Sequence, residues 1–256
     1  MHSLVMNIRS QLPKLGGRKL YYMLKPEFSN LGIKLGRDSL FRFLREEHLL
    51  VKSRRKYMKT TNSRHWMRKY PNKVRELDIY RPEQVWVADI TYLQVKKKHY
   101  YLHLITDAYS KKIVGFELSA NMESITTLSA LNKAIKSREY TEKLIHHSDR
   151  GLQYCSRKYI EKLHKNDIEI SMTEQSDPYE NAVAERINGI LKGEFGLDDN
   201  FENIELLEAQ VYQSIALYNQ LRPHLSIEYL TPNQAHKQQK VKMKTWKMKR
   251  PLEFTS

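Results

Sequence analysis

Asp89 stands in "WVADITY", flanked by Val87, Ala88 and Ile90 in a run rich in β-branched and aromatic residues. A carboxylate in such a strand is costly, since burying an unpaired polar group costs roughly 2–7 kcal/mol and an unpaired charge more. A buried arginine or several backbone donors would compensate it. A bound cation explains it better, because carboxylate oxygens suit hard divalent ions. Asp149 ends "LIHHSD", at the C-terminal end of a strand, where the loops of an α/β sheet converge on ligands. Gly151 then permits a tight turn, although a turn or helix-capping aspartate is an equally common role. Asp107 in "ITDAYSKK" reads as a hairpin aspartate with a structural job.

The stretch "SMTEQSDPYENAVAERINGILKGEF" holds four glutamates, Glu174, Glu180, Glu185 and Glu194. Asp177 and Pro178 suit a helix N-cap and first position, and Val183, Ile187, Ile190 and Leu191 form its apolar face. At about 100° per residue, Asn181, Glu185 and Lys192 share one polar stripe. Glu194 lies about 180° round from Glu185, Glu180 about 140° off, and Glu174 precedes the helix. Geometry ranks Glu185 first among them, against the default of a solvated surface glutamate. His146, His147 and Cys155 do not make a zinc site, because adjacent histidines on a strand point to opposite faces.

The elements that must position these residues follow from periodicity. Residues 83–95, 99–110 and 111–119 read as three consecutive strands with short breaks, hence antiparallel. A helix over 122–137 carries Leu128, Leu131 and Ile135 at helical spacing. A strand over 143–148, a helix over 156–166, a strand over 167–172, the glutamate-bearing helix and a helix over 204–221 complete an α/β fold around one mixed sheet. The first fifty residues read as short helices. "GRDSLFRFLREEHLL" sets Leu40, Phe43, Leu44 and Leu49 near one face and leaves Arg37, Arg42 and Arg45 elsewhere. Two short helices with a glycine-containing turn suit a helix-turn-helix DNA reader; a small appendage with a solvated basic face fits equally.

The chain has 256 residues, 44 Lys and Arg against 29 Asp and Glu, and a formal charge of +15. That balance implies a polyanionic partner, nucleic acid first. Its single cysteine excludes a disulfide framework, and there is neither a signal-peptide core nor an apolar run long enough for a membrane span. Residues 52–75 carry ten Lys or Arg and no acid, and residues 237–250 carry seven and no acid. Both read as backbone-contacting arms, with Arg54, Arg55, Lys56 and Arg64 as DNA contacts and Trp66 and Trp246 as anchors. The expected division is a helical segment over 1–51, a basic linker over 52–82, a core over 83–236 and a basic tail over 237–256.

Five ordered blocks, "WVADITYL", "ITDAYSKKIVGFELS", "HHSDRGLQYCS", "SMTEQSDPYENAVAERINGILKGE" and "YNQLRPHLSIEYLTPNQA", resemble those of the insertion-sequence-three family of bacterial transposases, relatives of retroviral integrases. Sixty positions separate Asp89 from Asp149, and 35 residues lie between Asp149 and Glu185, the interval of the family's DDE pattern. The helix departs from the family in reading "ERINGILKGE" where an "ESF" run is common. The resemblance implies a ribonuclease H-like integrase catalytic core, a mixed five-stranded sheet flanked by helices. Asp89, Asp149 and Glu185 would be its catalytic and metal-binding residues. It further implies two Mg²⁺ or Mn²⁺ ions per site, DNA cleavage and strand transfer, binding to terminal inverted repeats with Lys192 and Asn181 at the DNA end, and homo-oligomers on DNA. Synthesis as a fusion with an upstream reading-frame product, and a cytoplasmic, nucleoid-associated location in bacteria, also follow from it. A nuclease without strand transfer and an inactive DNA-binding descendant remain as alternatives.

Overall fold

A computed structural model describes residues 1–51, 67–174 and 181–241; Arg54, Arg55, Lys56, Arg64, Trp66, Asp177, Pro178, Glu180 and Trp246 lie outside them. The sheet is built as the strand periodicity predicts. β1 (Val85–Val95) turns through Lys96 and Lys97 into β2 (Lys98–Asp107), and β3 (Ile113–Ser119) returns beside it. Both pairings are antiparallel. β4 (Leu144–Ser148) then inserts parallel to β1 on its other side, and β5 (Ile168–Met172) adds parallel to β4. The order β3-β2-β1-β4-β5 puts the strand carrying Asp89 in the middle of the sheet.

Alternation along β1 divides the core. Trp86 and Ala88 face a layer made by α4 (Ser124–Lys136) and α5 (Arg157–Lys165), with Leu131, Ala134, Tyr159 and Leu163 buried against them. Gly115 lets α4 approach, since a Cβ there would lie 2.4 Å from the Ala130 carbonyl oxygen. Leu93 and Val95 face the other way, into a cluster with Ile187, Ile190 and Leu191 of α6 (Ala182–Glu194) and Val211 and Ile215 of α7 (Ile204–Gln220). Asp89 shares the parity of Leu93 and therefore belongs to the α6 side. A short helix, α8 (Pro232–His236), starts at a Thr231 capping box and follows a single 3₁₀ turn.

Near the N-terminus are α1 (His2–Gln11), α2 (Gly17–Asn30) and α3 (Arg37–Glu46). Leu20, Leu24 and Phe28 of α2 meet Leu40 and Leu44 of α3, as the spacing predicts. These side chains continue into the same buried cluster as α6 and α7, so this segment is docked on the core and not a detached appendage. Polar contacts fix the docking. The Lys14 amide donates to the Glu194 carbonyl (3.2 Å), and the Lys19 ammonium meets the Glu194 carboxylate at 2.7 Å. Tyr22 stacks on Tyr229 with ring centroids 4.5 Å apart.

Arg222 completes that joint. It is 1% exposed and grips Glu194 with Nε and Nη2 at 2.8 and 2.7 Å, while Nη1 stands 2.9 Å from His224 Nε2. The ion pairs hold the Glu194 carboxyl below its ordinary range despite burial, whereas burial pushes Lys19 and His224 down. Asp107 is wholly buried and accepts from the Glu83 amide (2.9 Å) and from the Ser110 amide and hydroxyl (2.8 and 2.6 Å); it closes the β2–β3 turn. No helix among the described residues is long and apolar enough to cross a membrane.

Candidate active site

Parallel pairing of β1 with β4 decides where the two aspartates meet. Val85, Trp86 and Val87 stand opposite Ile145, His146 and His147. The pairing ends there, and continuing the same register two steps leads toward Asp89 and Asp149, whose charge does act on Asp89. Neighbouring strands lie about 4.8 Å apart, so two residues distant in sequence become lateral neighbours. Asp149 follows the last residue of β4, and its Oδ1 accepts from the Gly151 amide at 2.9 Å. A side chain at Gly151 would crowd that same oxygen, at 3.0 Å from its Cβ.

α6 supplies the third carboxylate. Ala184 packs with Val85, Val87 and Ile145, which seats the first turn of the helix over β1 and β4. Glu185 follows in that turn, exposed. Asn181 is the N-cap residue, and its Nδ2 donates to the Ala88 carbonyl at 3.1 Å. The sequence suggested Asn181 as a DNA contact. In the structure this side chain is buried and turned onto the sheet, because a cap residue at this crossing reaches β1 before it reaches solvent. The other polar members of the stripe run along the same strand. Asn188 Nδ2 donates to Asp89 Oδ2 at 2.7 Å, and the Lys192 ammonium lies 4.6 Å from the centre of the Tyr92 ring.

Asp89 registers the electrostatics of this arrangement. Its carboxyl is raised to about 7, by desolvation first, then by the charge of Asp149, and with a smaller push from Glu185. The Ile90 amide, 2.9 Å from Oδ1, and the Asn188 amide work in the opposite direction. Burial likewise pushes Lys192 down, with Asp198 and Asp89 opposing. Among the described residues, no group of three His, Cys, Asp or Glu side chains stands close enough to hold a metal ion. The three carboxylates therefore share one electric field without yet sharing one point. Their donor set is all oxygen and anionic, and Asp89 has its two oxygens oriented by separate donors. That chemistry fits a hard divalent cation and not a soft one.

The remaining sequence candidates separate cleanly. Glu174 caps the 72–75 segment, accepting from the Asn72 amide at 3.1 Å and pairing with Arg75 at 3.2 Å. Glu194 faces away to its cluster with Arg222 and Lys19. His146 and His147 point to opposite faces, the first to the Tyr159 hydroxyl at 2.9 Å and the second to Ser171 at 2.8 Å, as the strand geometry predicts. Sequence reasoning passed over Asn188. The signal was available, since Asn188 is three residues beyond Glu185 and four before Lys192, on the stripe already identified.

Two integrase core domain families match the chain, one over residues 79–178 and one over residues 166–232. The insertion element IS600 uncharacterized 31 kDa protein of Shigella sonnei is 35% identical over 211 residues, covering 82% of this chain and 78% of its own. The transposase for insertion sequence element IS629 of the same organism is 31% identical over 87% of this chain and 73% of its own. The transposase InsF for insertion sequence IS3A of Escherichia coli K12 is 32% identical over 75% and 67%. Among solved structures, the HTLV-2 integrase catalytic core domain in complex with magnesium superposes with a TM-score of 0.50 and 25% identity, covering 61% of this chain and 97% of that one. The simian T-cell lymphotropic virus intasome, 18% identical, shares the fold over 95% of this chain and 78% of its own with a TM-score of 0.55. The chain is a polynucleotidyl transferase on a ribonuclease H-like integrase core, and it belongs to the insertion-sequence-three family of transposases.

Proposed function

We propose that this transposase cuts the ends of its insertion sequence and joins them to target DNA, with Asp89, Asp149 and Glu185 as its metal-binding and catalytic residues. The observation that carries the proposal is the parallel pairing of β1 with β4 just before the two aspartates, with Asp149 and Glu185 both close enough to perturb Asp89. Asp89, Asp149 and Glu185 would hold two Mg²⁺ or Mn²⁺ ions, which when bound supply the positive charge that activates an attacking oxygen and stabilises a leaving one. The Asp89 carboxylate is already oriented by the Ile90 amide and Asn188. Glu185 is exposed on the first helical turn, and its charge already reaches Asp89. The magnesium of the HTLV-2 core supports the choice of ion.

For the test, the purified protein is incubated with labelled DNA carrying the inverted repeats that flank its gene, with Mg²⁺ or Mn²⁺. Nicked and joined products are expected from the wild type, and neither from Asp149→Asn or Glu185→Gln, with DNA binding kept. Cleavage surviving in either variant removes that residue from the site. Nicking without joining by the wild type would favour a plain nuclease.

Lys192 would contact a phosphate of the DNA end from above Tyr92. Lys192→Ala is then expected to weaken end binding and to lower the slope of log affinity against log salt by about one. An unchanged slope would mean that the ammonium serves the ring beneath it. The basic segments 52–75 and 237–250 add sequence-independent contacts that weaken steeply with salt, and the exposed Arg42 and Arg45 of α3 suit the terminal repeats. Oligomers on DNA, as in the viral intasome, a fusion with an upstream reading-frame product, and a place at the bacterial nucleoid complete the reading.

A further inference from the structure

Asn188 lies on the polar stripe of α6, yet the structure buries it. It is 6% exposed and flanked by Ile187, Ile190 and Leu191, which are all buried. Packing does not account for it, because a leucine would fill such a position without a polar group to satisfy. Its amide nitrogen faces Asp89 Oδ2 at 2.7 Å. An ionised carboxylate offers no proton, so the donor must be the NH₂ half of the amide. The other half, Oδ1, is buried and has no hydrogen-bond partner among the described residues. Covalent geometry keeps that orphaned acceptor beside the Asp89 carboxylate. A buried acceptor without a partner calls for an explanation, and a water or ion is one that a metal site supplies.

Asp89 is therefore oriented at both oxygens before any ligand is present. Oδ1 takes the Ile90 amide at 2.9 Å, and Oδ2 takes Asn188. Strand and helix each fix one oxygen, and the helix is the one that carries Glu185. Groups that orient a ligating carboxylate matter nearly as much as the ligand itself. Mg²⁺ gives up its water reluctantly and keeps several molecules when bound, and each such water needs an acceptor.

We propose that Asn188 is a positioning residue for the metal site: its N–H sets the Asp89 carboxylate, and its free Oδ1 accepts a hydrogen bond from water carried by the cation. The proposal rests on the reading of Asp89 as a metal ligand. It makes the link between α6 and β1 part of cation capture as well as of packing.

Mn²⁺ binding followed by electron paramagnetic resonance tests it without catalysis, on wild type, Asn188→Leu, Asn188→Gln and Asp89→Asn. The leucine keeps the branched side-chain shape and removes both polar atoms; the glutamine keeps the amide and moves it by one methylene. Both are expected to raise the Mn²⁺ dissociation constant by about tenfold, the low end for groups that support a ligand. Asp89→Asn is expected to lose the site. In the cleavage assay, the half-saturating Mg²⁺ concentration rises in Asn188→Leu while the plateau rate falls less. A purely structural defect would instead lower the plateau and leave half-saturation in place. Wild-type Mn²⁺ affinity in Asn188→Leu, or in Asn188→Gln should the leucine variant not fold, overturns this inference alone. Unchanged Mn²⁺ binding in Asp89→Asn overturns the reading of the site beneath it.

Discussion

Asp89→Asn is expected to abolish DNA cleavage and, at pH 8 without metal, to raise the melting temperature. The first effect follows from removing a charge at the centre of the site. It should reach at least about 10²–10³-fold, the scale for deleting one charge-stabilising group. The second follows from the Asp89 carboxyl, raised to about 7 by desolvation and then by Asp149. Its unfolded value is near 3.9, so the folded chain holds the proton more tightly. That stabilisation is complete below about pH 4 and is lost as pH climbs through 7.

An asparagine is neutral throughout and escapes the loss. It forfeits one of the two hydrogen bonds that the carboxylate accepted, since its own NH₂ must face either Ile90 or Asn188. That costs about 1 kcal/mol, less than the effect of a shift of several pH units at about 1.4 kcal/mol each. The variant should therefore melt a few degrees above wild type at pH 8 and no higher than wild type at about pH 4. Saturating Mg²⁺ should reverse the order at pH 8 by stabilising only the wild type. Differential scanning calorimetry across pH, with and without Mg²⁺, checks all of this. Parallel pH profiles for the two proteins would refute the electrostatic account.

Arg222→Ala should produce the largest loss of stability. The guanidinium is 1% exposed and holds Glu194 through two nitrogens, with His224 beside it. Its removal leaves a largely buried carboxylate with Lys19 as its remaining cation partner. Breaking a buried pair from one side costs about 3 kcal/mol or more, which for a chain of this size lowers the melting temperature by about 6–12 °C. Arg222→Lys should recover little, because one ammonium cannot reproduce the two-nitrogen grip. The exposed Arg157–Glu161 pair is the control, and its loss should not register. An Arg222→Ala protein melting within a degree of wild type would show that the cluster contributes no net stability.

The strands and Asp89 were legible in the sequence for one reason. A charge inside an alternating apolar run breaks a period-2 pattern, and such breaks are visible without coordinates. The β1–β2–β3 meander was legible because short breaks force antiparallel neighbours. The insertion of β4 beside β1 was not, since periodicity says nothing about which edge a later strand joins; the family resemblance supplied it. Asn181 shows the limit of helical-wheel reasoning, which places a residue on a face without saying whether a sheet lies over it. Asn188 was hidden for the converse reason: it looks like an ordinary polar residue until the aspartate opposite is known. Arg222, Glu194 and Lys19 come from three distant segments, and local sequence does not pair them.

Glu194 does more than neutralise an arginine. It sits nine residues after Glu185 on one helix, a rise of about 14 Å, and its carboxylate and carbonyl are the points where Lys19 and Lys14 attach. α6 is thus fastened at one end to the N-terminal segment and carries at the other the carboxylate proposed for the reaction centre. Grip and chemistry share one helix.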